Sequence, residues 1–226
     1  FNLKYYNYSI GNFSLERSFL VKDLGIIYKS DFSFDHHVDW IVGRSMKLLY
    51  FIKRNTNSFS RPSTVIYLYK SLILSILTYA SIVWRPYTNK LIDKIEMVQH
   101  KLLRFLSYRF YVPMNRFDHD FSTVSRYFNL PTVRSIHEMY DIVFLYKVSN
   151  DLINHTYIKN LFVLRNVEKD LRDFRRIVEH ESKFDYILFS SVFRLERLFN
   201  ANFNFISNCD SLFILKARLK ESLSYY

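Results

Sequence analysis

The chain has 226 residues, 49% of them apolar, and a formal net charge of +11, so it can bury a core as one domain or two small ones. The cationic excess favours an anionic partner, either nucleic acid or an acidic membrane surface. Its single cysteine, Cys209, excludes an internal disulfide framework and a cysteine-built zinc site, and makes an intracellular, reducing compartment (nucleus or cytoplasm) the expectation.

The sequence opens with Phe1 rather than Met, and without the basic and apolar regions of a signal peptide. It is read as a piece of a longer polypeptide. Residues 5–28 predict a β-hairpin. Tyr6, Tyr8 and Ile10 alternate with polar residues, Gly11-Asn12 supplies turn chemistry, and Phe13 and Leu15 resume the alternation. The return strand continues through Val21-Lys22-Asp23-Leu24-Gly25-Ile26 to Tyr28.

After a polar turn at 29–31, a long helix is predicted, with Ser33 as N-cap and Asp35 in its first turn. At about 100° per residue, Phe34, Val38, Ile41, Ser45, Leu48, Leu49 and Ile52 form a core stripe. Trp40, Arg44, Lys47, Phe51 and Arg54 fall on the opposite side, with Gly43 beside them. Cations interleaved with rings suit a sugar-phosphate backbone: charge neutralises phosphates and rings lie on sugars or bases. A residue without a side chain lets a ligand approach closely. The alternative is that Trp40 and Phe51 pack on a neighbouring element while the cations are solvated.

That helix should fray across 55–60. Pro62 then opens a second helix running to about Ser81, apolar nearly all round and expected to be the most buried element, closed by Trp84-Arg85-Pro86-Tyr87. Residues 65–84 are long enough to span a bilayer. Lys70, the tyrosines and the Ser/Thr content favour a buried central helix instead, so no membrane partner is expected. A third helix is predicted from Asn89 to Ser107, burying Leu91, Ile95, Val98, Leu102 and Leu106, with Lys90, Lys94 and Lys101 outward.

Residues 108–120 read as a basic-aromatic connection between subdomains. A short helix follows over 121–129, and Pro131 opens another with Val133, Ile136, Tyr140, Val143 and Phe144 on one side. Strand and loop are equally compatible with 163–190. Leu195, Leu198 and Phe199 suggest a short helix, and Leu212, Leu215, Leu219 and Leu223 a last one, capped by Asp210 or Ser211. The fold class is therefore mainly α: an N-terminal β-hairpin (1–30), a helical bundle (31–110) and a partly irregular helical region (111–226).

Catalytic signatures are missing. The three glycines, Gly11, Gly25 and Gly43, lie too far apart for a P-loop, a dinucleotide fingerprint or a nucleophile elbow. His36-His37 beside Asp35 and Asp39 reads as a capped, solvated helix start, because adjacent helical side chains diverge by about 100°. Asp118-His119-Asp120 is a weak ligand set in a basic loop. No Asp adjoins another, so two-metal phosphoryl transfer has no carboxylate pair in this chain.

Several segments carry a family likeness. Tyr8-Ser9-Ile10-Gly11, Val21-Lys22-Asp23-Leu24-Gly25-Ile26, Phe32-Ser33-Phe34 with His37, Leu68-Tyr69-Lys70-Ser71-Leu72 and Ser75–Trp84 with Pro86-Tyr87 all contribute. So do Ile95–Lys101, Arg104-Phe105-Leu106, Phe144–Val148 and Phe213–Leu219. Together they resemble the region after the catalytic core of reverse transcriptases from jockey-like non-LTR retrotransposons. The likeness is specific over 8–106 and looser over 126–222, where Leu130-Pro131-Thr132-Val133-Arg134 departs from the family's double-basic pair.

The resemblance implies that Leu24 and Gly25 belong to a primer grip and that the following helices form a thumb, clamping an RNA template and DNA primer strand. It implies palm and fingers upstream in the same polypeptide. Catalytic aspartates and Mg²⁺ would belong to that palm, leaving this chain no catalytic residue and no cofactor. A helical protein-interaction module, decayed or domesticated, is the competing reading, with a membrane-associated protein third.

Overall fold

The computed structural model describes residues 7–113, 121–162 and 190–224. The molecule is mainly helical, and among the described residues the strands lie in its N-terminal part. Two short antiparallel hairpins stand there where one was expected. The first pairs β1 (Ser9–Ile10) with β2 (Phe13–Ser14) around Gly11, at φ +60°. The second pairs β3 (Leu20–Asp23) with β4 (Ile26–Lys29), in the register Asp23↔Ile26. The chain therefore reverses at Leu24-Gly25 instead of running straight through. Both residues have positive φ, 45° and 86°, as a two-residue type I′ loop requires to match the strand twist.

Helix α1 (Asp35–Asn55) begins one residue later than predicted. Phe34 occupies the N-cap without a side-chain bond, while the Ser33 hydroxyl donates to Asp35 Oδ1 at 2.7 Å. Its buried face is His37, Val38, Ile41, Val42, Ser45, Leu49 and Ile52, with Phe34 and Leu48 only half-buried. His37 is buried rather than solvated: it is 2% exposed, and its Nδ1 accepts the Ile27 N–H at 3.3 Å, tying the second hairpin to the helix.

The second helical stretch comprises α2 (Pro62–Tyr69), a π turn (Lys70–Leu74) and α3 (Ser75–Thr78). It is not the most buried element. Val65, Tyr69, Ile73, Leu77 and Thr78 are covered, while Tyr67 and Leu72 are exposed. The covered residues from Val65 to Leu77 recur every fourth position, and in an α-helix each such step drifts about 40°. The wider π turn takes up an additional residue, returning Ile73 and Leu77 toward the core. Ser71, Ser75 and Thr78 hydroxyls donate to carbonyls one turn back, at Tyr67, Ser71 and Leu74. The stretch ends before Ser81: Tyr79 is extended and Ala80 left-handed (φ 50°), so α4 (Ser81–Trp84) starts in a new direction.

Helix α5 (Asn89–Arg109) packs against α1. It buries Ile95, Val98, Leu102 and Leu106 as expected, with Leu91 half-buried. Lys94 is not free on its outer side but paired to Asp39 of α1, and Lys101 is half-buried. After α6 (Ser122–Tyr127), Thr132 caps α7 (Val133–Ser149), accepting the Ser135 N–H, so Pro131 precedes the helix instead of opening it. Tyr140 of α7 faces outward at 38% exposure, and His137, Asp141, Ile142, Leu145, Tyr146 and Val148 join the buried face.

The remaining described helices are α8 (Thr156–Leu161), α9 (Ser191–Ala201), α10 (Phe203–Ser207) and α11 (Leu212–Ser224), the last with the Ile214 N–H donating to Ser211 Oγ at 3.3 Å. Asp118-His119-Asp120, all but the last residue of the 163–190 stretch, the Leu223 side chain and the first residues of the predicted hairpin lie outside the described residues.

Apolar side chains gather into two cores. One runs from Ile26 through Val133, the other from Ile142 through Leu219. Helix α7 contributes to both. At the first core's centre Trp84 lies edge-on to His37 (4.9 Å between centroids) and His137 (5.4 Å), its Nε1–H donating to Tyr79 O at 2.7 Å. No helix among the described residues is long and apolar enough to cross a membrane.

Candidate nucleic-acid interface

Packing α1 on α5, on the second helical stretch and on β4 leaves one long side of the helix uncovered. Trp40, Gly43, Arg44, Lys47, Phe51 and Arg54 all lie there and are exposed. Trp40 is 37% and Phe51 50% accessible. From Trp40 to Arg54 the stripe extends about 21 Å at 1.5 Å per residue. None of Arg44, Lys47 and Arg54 has a carboxylate partner among the described residues. Some cations elsewhere do: Lys29 with Asp31, Lys94 with Asp39, Lys159 with Asp151. Gly43 has open space where a Cβ would sit, so the protein's own packing does not require glycine there.

The hairpin adds a cation that the sequence did not single out. Lys22 of β3 places Nζ 4.5 Å from the Trp40 ring centroid, and the Arg44 guanidinium lies 5.6 Å from it. The indole thus holds two cations through its π face, joining the hairpin to the helical stripe. Strand-to-helix docking sets this contact, and no local spacing announces it.

Leu24 and Gly25 form the tip of the same hairpin. Leu24 is 81% exposed. Its carbonyl accepts the Tyr79 hydroxyl at 3.2 Å, and a Cβ at Gly25 would stand 3.5 Å from the Tyr79 ring, so Tyr79 buttresses the tip from below. At the hairpin's base, hydrogen bonds from Lys29 and then from the Ser33 backbone hold the Asp31 carboxyl down to about 2. Burial, followed by the field of Lys22, lowers His37 to about 4, so its ring is neutral at pH 7.

Leu24, Gly25, Trp40, Arg44, Lys47, Phe51 and Arg54 are thereby placed along one hairpin tip and one exposed helix side. The arrangement can hold anions and stack rings. Among the described residues no three His, Cys, Asp or Glu side chains converge as a metal site. No family model, curated protein or solved structure matches the chain.

Proposed function

We propose that this chain is the non-catalytic C-terminal part of an RNA-directed DNA polymerase of retrotransposon type, acting inside the cell in the nucleus or cytoplasm. The second hairpin and α1 contact the template–primer duplex. The observation that carries this reading is the exposed stripe Trp40-Arg44-Lys47-Phe51-Arg54, whose cations have no carboxylate partner among the described residues and whose first ring holds Lys22 of the hairpin. Such a surface positions a duplex through its phosphates without reading sequence. Chemistry on Mg²⁺ belongs in this reading to a palm in the same polypeptide. This chain orients the strand end, and orientation alone removes a large part of a bimolecular barrier.

Fluorescence anisotropy of a labelled RNA–DNA hybrid, titrated across salt concentrations, tests the reading. Neutralised phosphates give log K a slope of about −0.9 each against log salt. Arg44→Glu/Lys47→Glu should flatten the slope by about 2 and weaken binding at low salt. An unchanged slope removes the stripe from the interface.

A second reading, a protein-interaction module, rests on the N-terminal hairpins, where Phe13 is 80% and Phe19 71% exposed. Large exposed rings offer apolar surface to a protein partner. In the polymerase reading, palm and fingers cover them. Binding of the hybrid separates the two.

A further inference from the structure

The flank of α1 turned toward α5 gathers a second set of cations. Lys53 reaches across the seam, with Nζ 5.5 Å from the centroid of Phe105. On α5, Arg104 adjoins Phe105 and Lys101 precedes it by one turn. The Arg104 guanidinium lies 5.4 Å from the Phe121 ring, on which His100 also stacks at 4.1 Å. Lys53 and Lys101 are half-buried and Arg104 is exposed.

Among the described residues none of the three cations has a carboxylate partner, whereas Lys94, on the same helix as Lys101 and Arg104, is paired with Asp39. Crowding like charges in a partly desolvated seam costs Coulomb energy. Burial and the fields of Lys101 and Arg104 accordingly hold the Lys53 ammonium below its ordinary range.

We propose that the α1–α5 seam at Lys53, Lys101 and Arg104 is a binding site for closely spaced phosphates, as in a pyrophosphate group or two neighbouring phosphodiesters. Three cations on two helices match a multiply charged anion better than a single carboxylate. Arg104, seated on a ring, offers the planar N–H fork that phosphate oxygens accept. At about 100° per residue, Lys53 points some 140° away from the middle of the Trp40–Arg54 stripe, so this is a separate site and does not rest on the reading of that stripe.

Inorganic pyrophosphate, added to the full chain at constant ionic strength set with NaCl, is the probe. Calorimetry should give one site. The Lys53 Cε resonance, followed by NMR against pH, should show its titration midpoint rising on saturation, because a bound anion favours the ammonium. Lys101→Gln/Arg104→Gln should weaken binding at least tenfold, while Arg44→Glu/Lys47→Glu leaves it unchanged even if it abolishes hybrid binding. Displacement of pyrophosphate by a thymidine hexanucleotide would identify a nucleic-acid strand as the source of the phosphates, and failure to displace it a free polyphosphate. Either result leaves the site standing. A Lys53 midpoint that moves no more than in NaCl overturns the proposal. So does a folded Lys101→Gln/Arg104→Gln variant that binds as tightly as the parent.

Discussion

His37 holds three parts of the fold at one point: the β4 backbone through Ile27, the exposed ring Trp40 at 6.3 Å, and the core ring Trp84 at 4.9 Å. Only a neutral Nδ1 can accept the Ile27 N–H, and burial lowers its pKa from 6.5 to about 4. The unfolded chain therefore binds the extra proton first as pH falls. Stability that is complete above pH 6.5 is lost on the way down to about pH 4, by on the order of 3 kcal/mol. His37→Asn keeps an acceptor near the Nδ1 position but cannot titrate and loses the ring contacts, at a cost of about 2 kcal/mol at pH 7. Urea unfolding should show the gap between parent and variant closing or inverting as pH falls to 4; a constant gap refutes the assignment. The exposed cations of α1 were legible in the sequence because solvated charge at a period of 3.6 needs no tertiary information. His37 was not, since the same two-histidine spacing suits a solvated helix start and only the docking of Trp84 and β4 turns one ring inward.

Among the elements, the long amphipathic helices could be read directly, since α1 and α5 alternate charged and apolar residues at the helical period. The hairpin at Leu24-Gly25 was hidden because leucine is a poor residue for a left-handed turn position, where Asn or Asp commonly precedes Gly. The π turn was hidden because the apolar residues of 62–78 face solvent as well as core, which blurs any period. A leucine with φ 45° and 81% of its surface exposed is strained and pays for no burial. Leu24→Asn supplies the favoured type I′ pair and should raise stability by about 1 kcal/mol. If the leucine side chain is kept for the duplex, the same variant should weaken hybrid binding several-fold while its melting temperature rises. A more stable variant with undiminished binding would take Leu24 out of the interface.

Across the whole molecule, the two cores are joined by charge as well as by α7. Asp141, 0% exposed, accepts Arg85 Nη1 at 2.9 Å and Arg194 Nε at 3.2 Å. Arg194 also donates to Ile82 O at 2.7 Å, and Arg85 to Glu138 at 2.6 Å. Burial pushes the Asp141 carboxyl up, and the two guanidinium groups oppose it. No sequence pattern could reveal this junction, because Asp141 lies 56 residues from Arg85 and 53 from Arg194. It connects the end of α4, whose Trp84 belongs to the first core, to α7 and α9. Asp141→Asn leaves two guanidinium groups facing each other with one charge fewer between them, and removing one member of a buried ion group typically costs about 3–5 kcal/mol. The loss should fall unequally: α9 reaches α4 through Arg194, whereas the first core keeps Trp84 between His37 and His137. Trp84 fluorescence, in a Trp40→Phe background, reports the first core, and alkylation of the buried Cys209 reports the second. In the parent chain both should change at one urea concentration; in Asp141→Asn the cysteine should become reactive before Trp84 is released. Equal shifts of the two midpoints would mean that the charges add stability without coupling the cores. Replacing Arg85, Asp141 and Arg194 together by apolar residues should recover much of the stability, since the desolvation penalty disappears with the charges.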